Sequence, residues 1–218
     1  MWSSLAPTFT ILPQLLKGAA VTLEITAMTA VVGAILSFVI AFARMSGNRF
    51  LSGAARVYIE ILRGTSALVQ LFYLFYILPA FGITMGPMTT AVMGLGLNMS
   101  AYGAEVVRAG IQSVDEAQYE AGAALGLTRF QVMRLIVVPQ AVLVMLPSLG
   151  NLLIELIKAT SLVSLITLTE LTFSGRQMVV TTGRTFEVWG LVLLIYFCMA
   201  YPLTFAVRAA ENRAARFR

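Results

Sequence analysis

Long apolar runs separated by short polar segments dominate the chain. The runs cover residues 19–43, 57–78, 88–107, 135–171 and 188–207. About 20 apolar residues in a helix span the hydrocarbon core of a bilayer, so each run predicts one membrane span. The fourth run exceeds the length of one span and contains two prolines, so we expect a broken helix that lines a polar space. The pattern predicts an all-α integral membrane protein with five transmembrane helices in a single domain, 1–218.

The segments outside these runs are mixed in character. Residues 2–17 are mixed apolar and polar and are interrupted by Pro7 and Pro13, which predicts a short interfacial segment with Trp2 in the headgroup zone. The N-terminus lacks a basic region and a clear cleavage site, so we expect no signal peptide. Residues 176–187 read as a polar connection before the last span.

Composition supports the membrane class and excludes several activities. Hydrophobic residues make up 59% of the chain and charged residues 11%, against roughly 25% charged in soluble domains. The mean hydropathy is +0.86. There is no histidine, no G-x-x-x-x-G-K-[ST] loop and no clear nucleophile–base pair, so histidine metal sites, a P-loop and an enzyme active site are not expected. The net charge of +5 reflects arginines in loops and the tail and does not indicate nucleic-acid binding.

The arginines predict the orientation of the chain in the membrane. They concentrate between the first and second runs, between the third and fourth runs, and in the C-terminal tail, whereas the segment 80–87 carries no charge. Positively charged loops stay in the cytoplasm. The N-terminus is therefore expected outside and the C-terminus inside, with the polar segment 108–134 in the cytoplasm.

Helix-capping signals punctuate this cytoplasmic segment. Ser113 with Glu116 and Thr128 with Gln131 have the spacing of capping boxes, in which each side chain satisfies a backbone donor at a helix start. Gly126 stands where a helix ends in a left-handed residue. The expected elements are a short helix over 114–125, a tight turn and a new helix from 129. From local physics alone, an ordinary interhelical loop remains an equal alternative.

The same segment resembles the E-A-A-x3-G-x9-I-x-L-P loop of ABC-importer permeases. Gly122 replaces the usual second alanine and Val138 the usual leucine, while the other motif positions match. Three further stretches resemble the polar amino-acid permeases within that family, and the similarity covers nearly the whole chain. The matching residues are Glu120, Ala121, Gly126, Ile136 and Pro139, and the three stretches are 62–70, 100–111 and 158–162.

The resemblance implies a subunit of a larger machine in the inner membrane of a bacterium. It implies a second permease subunit, identical or homologous, a dimer of ABC ATPase subunits beneath, and an extracytoplasmic solute-binding protein above. ATP and magnesium would be bound by the ATPase, with no cofactor in this chain. The short helix would dock on the ATPase and transmit its closure. The coupling residues implied are Glu120, Ala121, Gly122, Gly126 and Pro139.

Alternating access requires polar groups at mid-membrane, and the apolar runs contain several. For each alone, an interhelical hydrogen bond or ion pair explains the residue as well as a solute contact does. Glu155 and Lys158 are three apart and could neutralise each other. The candidates for the substrate pathway are Gln70, Asn98, Tyr102, Asn151, Glu155, Thr160 and Ser161.

The substrate class follows from departures from the family pattern. Leu152 and Ala159 stand where the family often has acidic residues, which weakens the case for a strongly cationic substrate. A polar amino acid or another zwitterion is therefore expected, with an ectoine-like compatible solute as the alternative. An alternative from another class is a channel or facilitator that works without an ATPase.

Overall fold

The computed structural model describes residues 8–214, with side-chain surroundings from 11 to 209. Trp2 and Pro7 of the predicted interfacial segment, and Arg216 and Arg218 of the arginine-rich C-terminal tail, lie outside the described residues. All regular structure in that range is helical, with π-helical and 3-10 turns between some of the helices. The α-helices are α1 (Thr8–Arg44), α2 (Arg49–Gly64), α3 (Ala67–Phe72), α4 (Pro87–Gln112), α5 (Glu116–Ala124), α6 (Arg129–Val132), α7 (Val138–Ala159), α8 (Leu171–Thr182) and α9 (Thr185–Ala214).

Helix α4 is the centre of the bundle and contacts α1, α2, α3 and α7. Glycines allow the close approach of α1 and α4. A methyl group at Gly103 would overlap the side chain of Ser37, and one at Gly96 would lie 3.3 Å from Val32. Small residues at such contacts let helix backbones come together in a membrane protein. Much of α4 is therefore covered by protein rather than lipid.

Three helical segments are long and apolar enough to cross a bilayer, namely Ile11–Arg44, Arg129–Ile166 and Thr185–Ala209. A fourth candidate is the bent pair Arg49–Gly64 and Ala67–Phe81. The third predicted span, 88–107, corresponds to α4 (Pro87–Gln112), which is not among the segments that are apolar enough to cross a bilayer by this criterion. Its glycine and polar content fits a helix covered by other helices, as described above.

Helix α1 is longer than the first predicted span. It runs without interruption through Pro13, so the part of the predicted interfacial segment that the structure describes is helical instead. Ile11, Leu15 and Ala19 are buried in one cluster with residues of α8 and α9. This packing continues the helix past a proline that would otherwise disfavour it.

The second predicted span, 57–78, is wrong as a single helix. Helix α2 begins earlier, with Asn48 as its N-cap. It is separated from α3 by a bend of 104°. Thr65 at the bend is extended, with φ −119° and ψ 157°, and Ser66 starts α3. Each of the two helices is too short to cross the membrane alone.

The fourth predicted span, 135–171, is broken as expected, but the breaks lie elsewhere than at the prolines. A π-helical turn, Met133–Val137, precedes α7, and Pro139 lies in the first turn of α7, where it does not kink a continuous helix. Helix α7 also continues through Pro147. After α7, a 3-10 segment, Thr160–Ile166, ends at Thr167 with φ +65°.

The polar connection predicted over 176–187 is mostly helical. Helix α8 starts after Glu170, whose carboxylate accepts hydrogen bonds from the backbone N–H groups of Thr172 and Phe173, each at 2.8 Å. It ends at Gly183, with φ +70°. Helix α9 then extends further at both ends than the predicted span 188–207 and continues through Pro202.

Candidate functional site

Helix α5 lies at one end of the bundle, in the segment between α4 and α6. The predicted capping box of Ser113 with Glu116 is wrong. Ser113 instead donates to the carbonyl oxygen of Gly110 at 2.7 Å, and Asp115 caps α5 by accepting from the N–H of Ala117 at 2.9 Å. The aspartate is closer to the helix start, so it takes the role that spacing assigned to the serine.

The turn after α5 confirms the remaining local predictions. Gly126 is left-handed, with φ +76°, and a side chain there would meet nothing within 4 Å, so the backbone alone selects glycine. The N–H of Leu127 donates to the carbonyl oxygen of Gly122 at 3.1 Å. Thr128 and Gln131 form the predicted capping box at the start of α6.

Gly122 is the residue of α5 that the bundle buries. A methyl group at this position would lie 2.7 Å from Cγ2 of Val132 and 3.2 Å from Cδ1 of Ile136. The first distance is too short for real carbon atoms. The glycine that replaces the family's usual alanine therefore lets α5 sit directly on α6 and the π-helical turn.

The outward face of α5 and its turn is exposed and mixed in character. Glu120 and Ala121 are exposed, and so are Leu125 and Phe130, with 77% and 72% of their surface accessible. Sequence reasoning missed the last two, although apolar residues within a polar segment are a usable signal. Tyr119 is half-buried on the inner side of α5, and burial raises its pKa. The exposed apolar side chains make this face a candidate protein-binding surface.

The bend between α2 and α3 is held by two of the candidate substrate residues. The Gln70 amide nitrogen donates to the carbonyl oxygen of Leu62 at 2.9 Å and to Oγ1 of Thr65 at 2.8 Å. The Asn98 amide nitrogen donates to the same Leu62 oxygen at 3.3 Å and to Oε1 of Gln70 at 3.2 Å. Both amides thus donate to the carbonyl oxygen of Leu62, a backbone acceptor at the end of α2.

Three of the candidates share a cleft of about 180 Å³ between α4 and α7. Asn98 and Tyr102 project from α4 and Glu155 from α7. Apolar side chains complete the lining, including Leu152 and Ala159, the two positions where the family pattern is often acidic. We call this space the Asn98 cleft. It offers one carboxylate, one amide and one phenol within an apolar wall, which suits a small polar solute.

A second, wider space of about 450 Å³ lies on the other side of Tyr102. Its charged lining comprises Arg63, Glu105 and Arg108, and we call it the Arg108 groove. Arg108 forms an ion pair with Glu105, with Nη2 2.7 Å from Oε2. The guanidinium carbon of Arg63 lies 5.2 Å from the centre of the Tyr102 ring. Arg63 was not predicted as a site residue, although a cation inside an apolar run signals one.

The remaining candidates do not join these spaces. Asn151 is exposed on α7 and lines neither of them. Thr160 is buried and its hydroxyl donates to the carbonyl oxygen of Ile157 at 2.6 Å. The hydroxyl of Ser161 donates in the same way to the carbonyl oxygen of Lys158 at 2.7 Å. These two hydroxyl groups hold the start of the 3-10 segment.

The predicted neutralisation of Glu155 by Lys158 is wrong. Within residues 11–209, the carboxylates in ion pairs are Glu60 and Glu105. Glu155 lines the Asn98 cleft, whereas Lys158 lines a groove between α7 and α9. The two side chains leave the helix toward different neighbours, so the carboxylate of Glu155 stays available to the cleft.

Glu170 is a buried acid that sequence reasoning missed. None of its surface is exposed, and besides capping α8 it accepts a hydrogen bond from the hydroxyl of Tyr196 at 2.9 Å. Tyr196 also lies 2.9 Å from the hydroxyl of Thr172. These contacts join α8 to α9. No group of three metal-binding side chains occurs in the part of the chain that the structure describes.

Comparison with known proteins assigns this architecture to a family. The model of the binding-protein-dependent transport system inner membrane component matches residues 33–216. The chain belongs to this family. It is 44% identical over 208 residues to the probable amino-acid ABC transporter permease protein y4tF of Sinorhizobium fredii, covering 93% of this chain and 87% of the relative.

Two further comparisons agree with the family. The chain is 36% identical over 214 residues to the glutamine transport system permease protein GlnP of Escherichia coli, covering 97% of this chain and 96% of that protein. The crystal structure of an amino acid ABC transporter with histidines matches with a TM-score of 0.89 and 35% identity, over 95% of this chain and 97% of the solved one. The chain is thus a permease subunit of the inner membrane, and its family is a transport family.

Proposed function

We propose that the chain is the permease subunit of an ATP-driven, binding-protein-dependent importer for polar amino acids or related zwitterionic solutes, working by alternating access. The names of its relatives y4tF and GlnP support the amino-acid class. The observation that carries the proposal is the exposed face of α5. A chain that is driven by a separate ATPase needs a surface to which that ATPase binds, and α5 offers both an acidic and apolar side chains for such a contact.

The coupling residues are those of α5 and the turn that follows it. Glu120 and Ala121 present the outer face of α5, while Gly122 and Gly126 fix how it sits and ends. Pro139 is exposed in the first turn of α7. Leu125 and Phe130 add the apolar contact. The partner is a dimer of ABC ATPase subunits, which binds ATP and magnesium; this chain supplies neither the nucleotide site nor a catalytic group.

The transported solute passes through the Asn98 cleft. Asn98, Tyr102 and Glu155 are its polar contacts, and the apolar wall of the cleft favours a solute of low net charge. Gln70, Thr160 and Ser161 do not line the cleft. Their side chains donate to backbone carbonyl oxygens and so stabilise the segments that border it. Asn151, exposed on α7, faces the second permease subunit, which is identical or homologous to this one.

The chain crosses the membrane five times with its N-terminus outside. The crossings are α1, the bent pair that begins with α2, α4, the run from α6 through α7, and α9. Arginines near α5 and at the end of α9 support this orientation, because positive charge is retained in the cytoplasm. It exposes α5 to the ATPase in the cytoplasm and the opposite end of the bundle to the binding protein.

Reconstituted uptake tests the proposal. The complex of permease, ATPase and binding protein is placed in proteoliposomes, and ATP-dependent uptake of radiolabelled glutamine is measured. We expect Glu120→Lys to reduce uptake at least tenfold by reversing the charge that faces the ATPase. Glu187→Lys is the matched control, because Glu187 is exposed in the first turn of α9, far along the chain from α5, and should retain uptake within twofold.

Competition identifies the solute. Unlabelled glutamine, arginine and ectoine are added in excess to the same assay, and glutamine is expected to compete best. A strong preference for arginine would contradict the zwitterion class, and a preference for ectoine would select the compatible-solute alternative. Full uptake by Glu120→Lys with normal assembly would reject the coupling role, and uptake without ATP would reject an ATP-driven importer.

A further inference from the structure

The Asn98 cleft and the Arg108 groove meet at Tyr102, and Arg63 lies against this residue. Tyr102 lines both spaces, and Leu152 is the other residue that they share. Tyr102 is 37% exposed and lines both spaces, so it forms part of the open wall on both sides. A solute that moves from the cleft into the groove therefore moves past Tyr102 and Leu152.

Arg63 stands at this junction on the side of the groove. Its guanidinium carbon lies 5.2 Å from the centre of the Tyr102 ring, within the range of a cation–π contact. Arg63 belongs to the last turn of α2, directly before the bend that Gln70 and Asn98 hold. Its backbone position is thus fixed by two amides, of which Asn98 lines the cleft.

The charge of Arg63 is not offset by an ion pair among residues 11–209, in contrast to its neighbours. Arg108 pairs with Glu105 in the same groove, and Arg56, about two turns earlier in α2, pairs with Glu60, each at 2.7 Å. A cation–π contact with an aromatic ring leaves N–H donors of the guanidinium available for hydrogen bonds. These donors have the fork geometry that binds a carboxylate through two hydrogen bonds.

We propose that Arg63 binds the carboxylate of the transported zwitterion at the junction of the two spaces. The inference rests on the proposed function and adds the residue that makes a free carboxylate a requirement for passage. A solute with the same side chain and ammonium group but an amide in place of the carboxylate would leave Arg63 unpaired. The permease itself would then select amino acids, independently of the binding protein.

The test uses the assembled permease–ATPase complex in detergent, without the binding protein. Binding of tritiated L-glutamine is measured at equilibrium, with unlabelled glutamine or glutaminamide as competitor. For the wild type, glutaminamide should compete at least tenfold more weakly than glutamine. Arg63→Gln should weaken glutamine binding at least tenfold and abolish the preference for the carboxylate. Arg56→Gln, on the same helix, is the matched control and should change neither quantity by more than twofold.

The outcomes separate this inference from the function on which it rests. Wild-type affinity and preference in Arg63→Gln would overturn the role of Arg63 alone. Equal competition by glutaminamide and glutamine in the wild type would overturn it as well, even if the variant failed to assemble. If the wild-type complex bound none of glutamine, arginine and ectoine, the proposed function would fail, and the inference with it.

Discussion

At the scale of single residues, Gly122 and Gly126 mark two positions near α5 where a side chain is disfavoured. Gly126 is required by its backbone angle, whereas Gly122 is required by space. The two constraints differ in how they can be relieved. A strained backbone angle stays strained whatever surrounds it, but a steric overlap disappears when the neighbouring side chain is shortened.

Gly122→Ala should therefore destabilise this protein, although alanine is the usual residue of the family pattern. The added methyl group overlaps Val132, and overpacking of this kind costs about 1–3 kcal/mol. Thermal unfolding of the purified complex in detergent measures the loss. The double variant Gly122→Ala with Val132→Ala should recover part of it. Gly53→Ala, at an exposed helical glycine with open space around it, should be neutral or stabilising.

At the scale of elements, two irregular joints shape the bundle, and polar side chains hold both. One is the bend between α2 and α3, and the other is the start of α8. In a bilayer, irregular backbone is tolerated where protein groups satisfy its hydrogen bonds. The amides of Gln70 and Asn98 do so at the first joint, and the carboxylate of Glu170 does so at the second.

Gln70→Leu should loosen the first joint while leaving the helices intact. It removes one of the two side-chain donors to the Leu62 carbonyl and the donor to the Thr65 hydroxyl, which costs about 1–2 kcal/mol. Hydrogen exchange of the amides around the bend should become faster. Val69→Leu, at an exposed neighbouring position, is the control and should exchange like the wild type. Unchanged exchange in Gln70→Leu would mean that Asn98 alone holds the bend.

Glu170 and Tyr196 should be energetically coupled. Glu170→Ala removes the cap of α8 and leaves its first N–H groups unpaired, which costs about 2 kcal/mol or more. A double-mutant cycle with Tyr196→Phe, measured by thermal unfolding, should give a coupling of about 0.5–2 kcal/mol. The control cycle uses Tyr201→Phe, at an exposed tyrosine of the same helix, and should be additive. Additivity in both cycles would contradict a shared network.

At the scale of the whole molecule, the arrangement of helices separates two ends with different chemistry. Helix α5 and the arginine-rich loop between α1 and α2 lie at one end, and the uncharged loop before α4 lies at the other. The Asn98 cleft and the Arg108 groove lie between them along α4. The arrangement fits transport between the two ends, which requires the orientation proposed above.

Thiol labelling of whole cells tests that orientation. With the single native cysteine replaced by Cys198→Ser, Thr84→Cys should react with a membrane-impermeant reagent in intact spheroplasts. Gly47→Cys should react only after the membrane is permeabilised, because it lies between arginines expected to stay in the cytoplasm. Both positions are exposed loop residues, so each is the accessibility control for the other. The reverse pattern of labelling would contradict the proposed orientation and indicate the opposite one.

The sequence by itself determined what local chemistry controls. Apolar runs predicted a helical membrane protein, and the turn at Gly126 with the capping box at Thr128 was predicted correctly, because such features depend on residues a few positions apart. The family motif located α5. Asp115 displaced Ser113 as a cap because two acceptors competed at one helix start, and spacing alone does not rank them.

Only the tertiary structure decided how distant segments meet. The bend after α2 depends on Asn98, more than 30 residues further on, and Glu170 caps α8 beside a tyrosine of α9. The need for glycine at position 122 depends on Val132. The separation of Glu155 from Lys158 and the meeting of Arg63 with Tyr102 depend on helix rotation within the bundle. These features arise from packing between helices, which hydrophobic periodicity constrains only to a face and never to a partner.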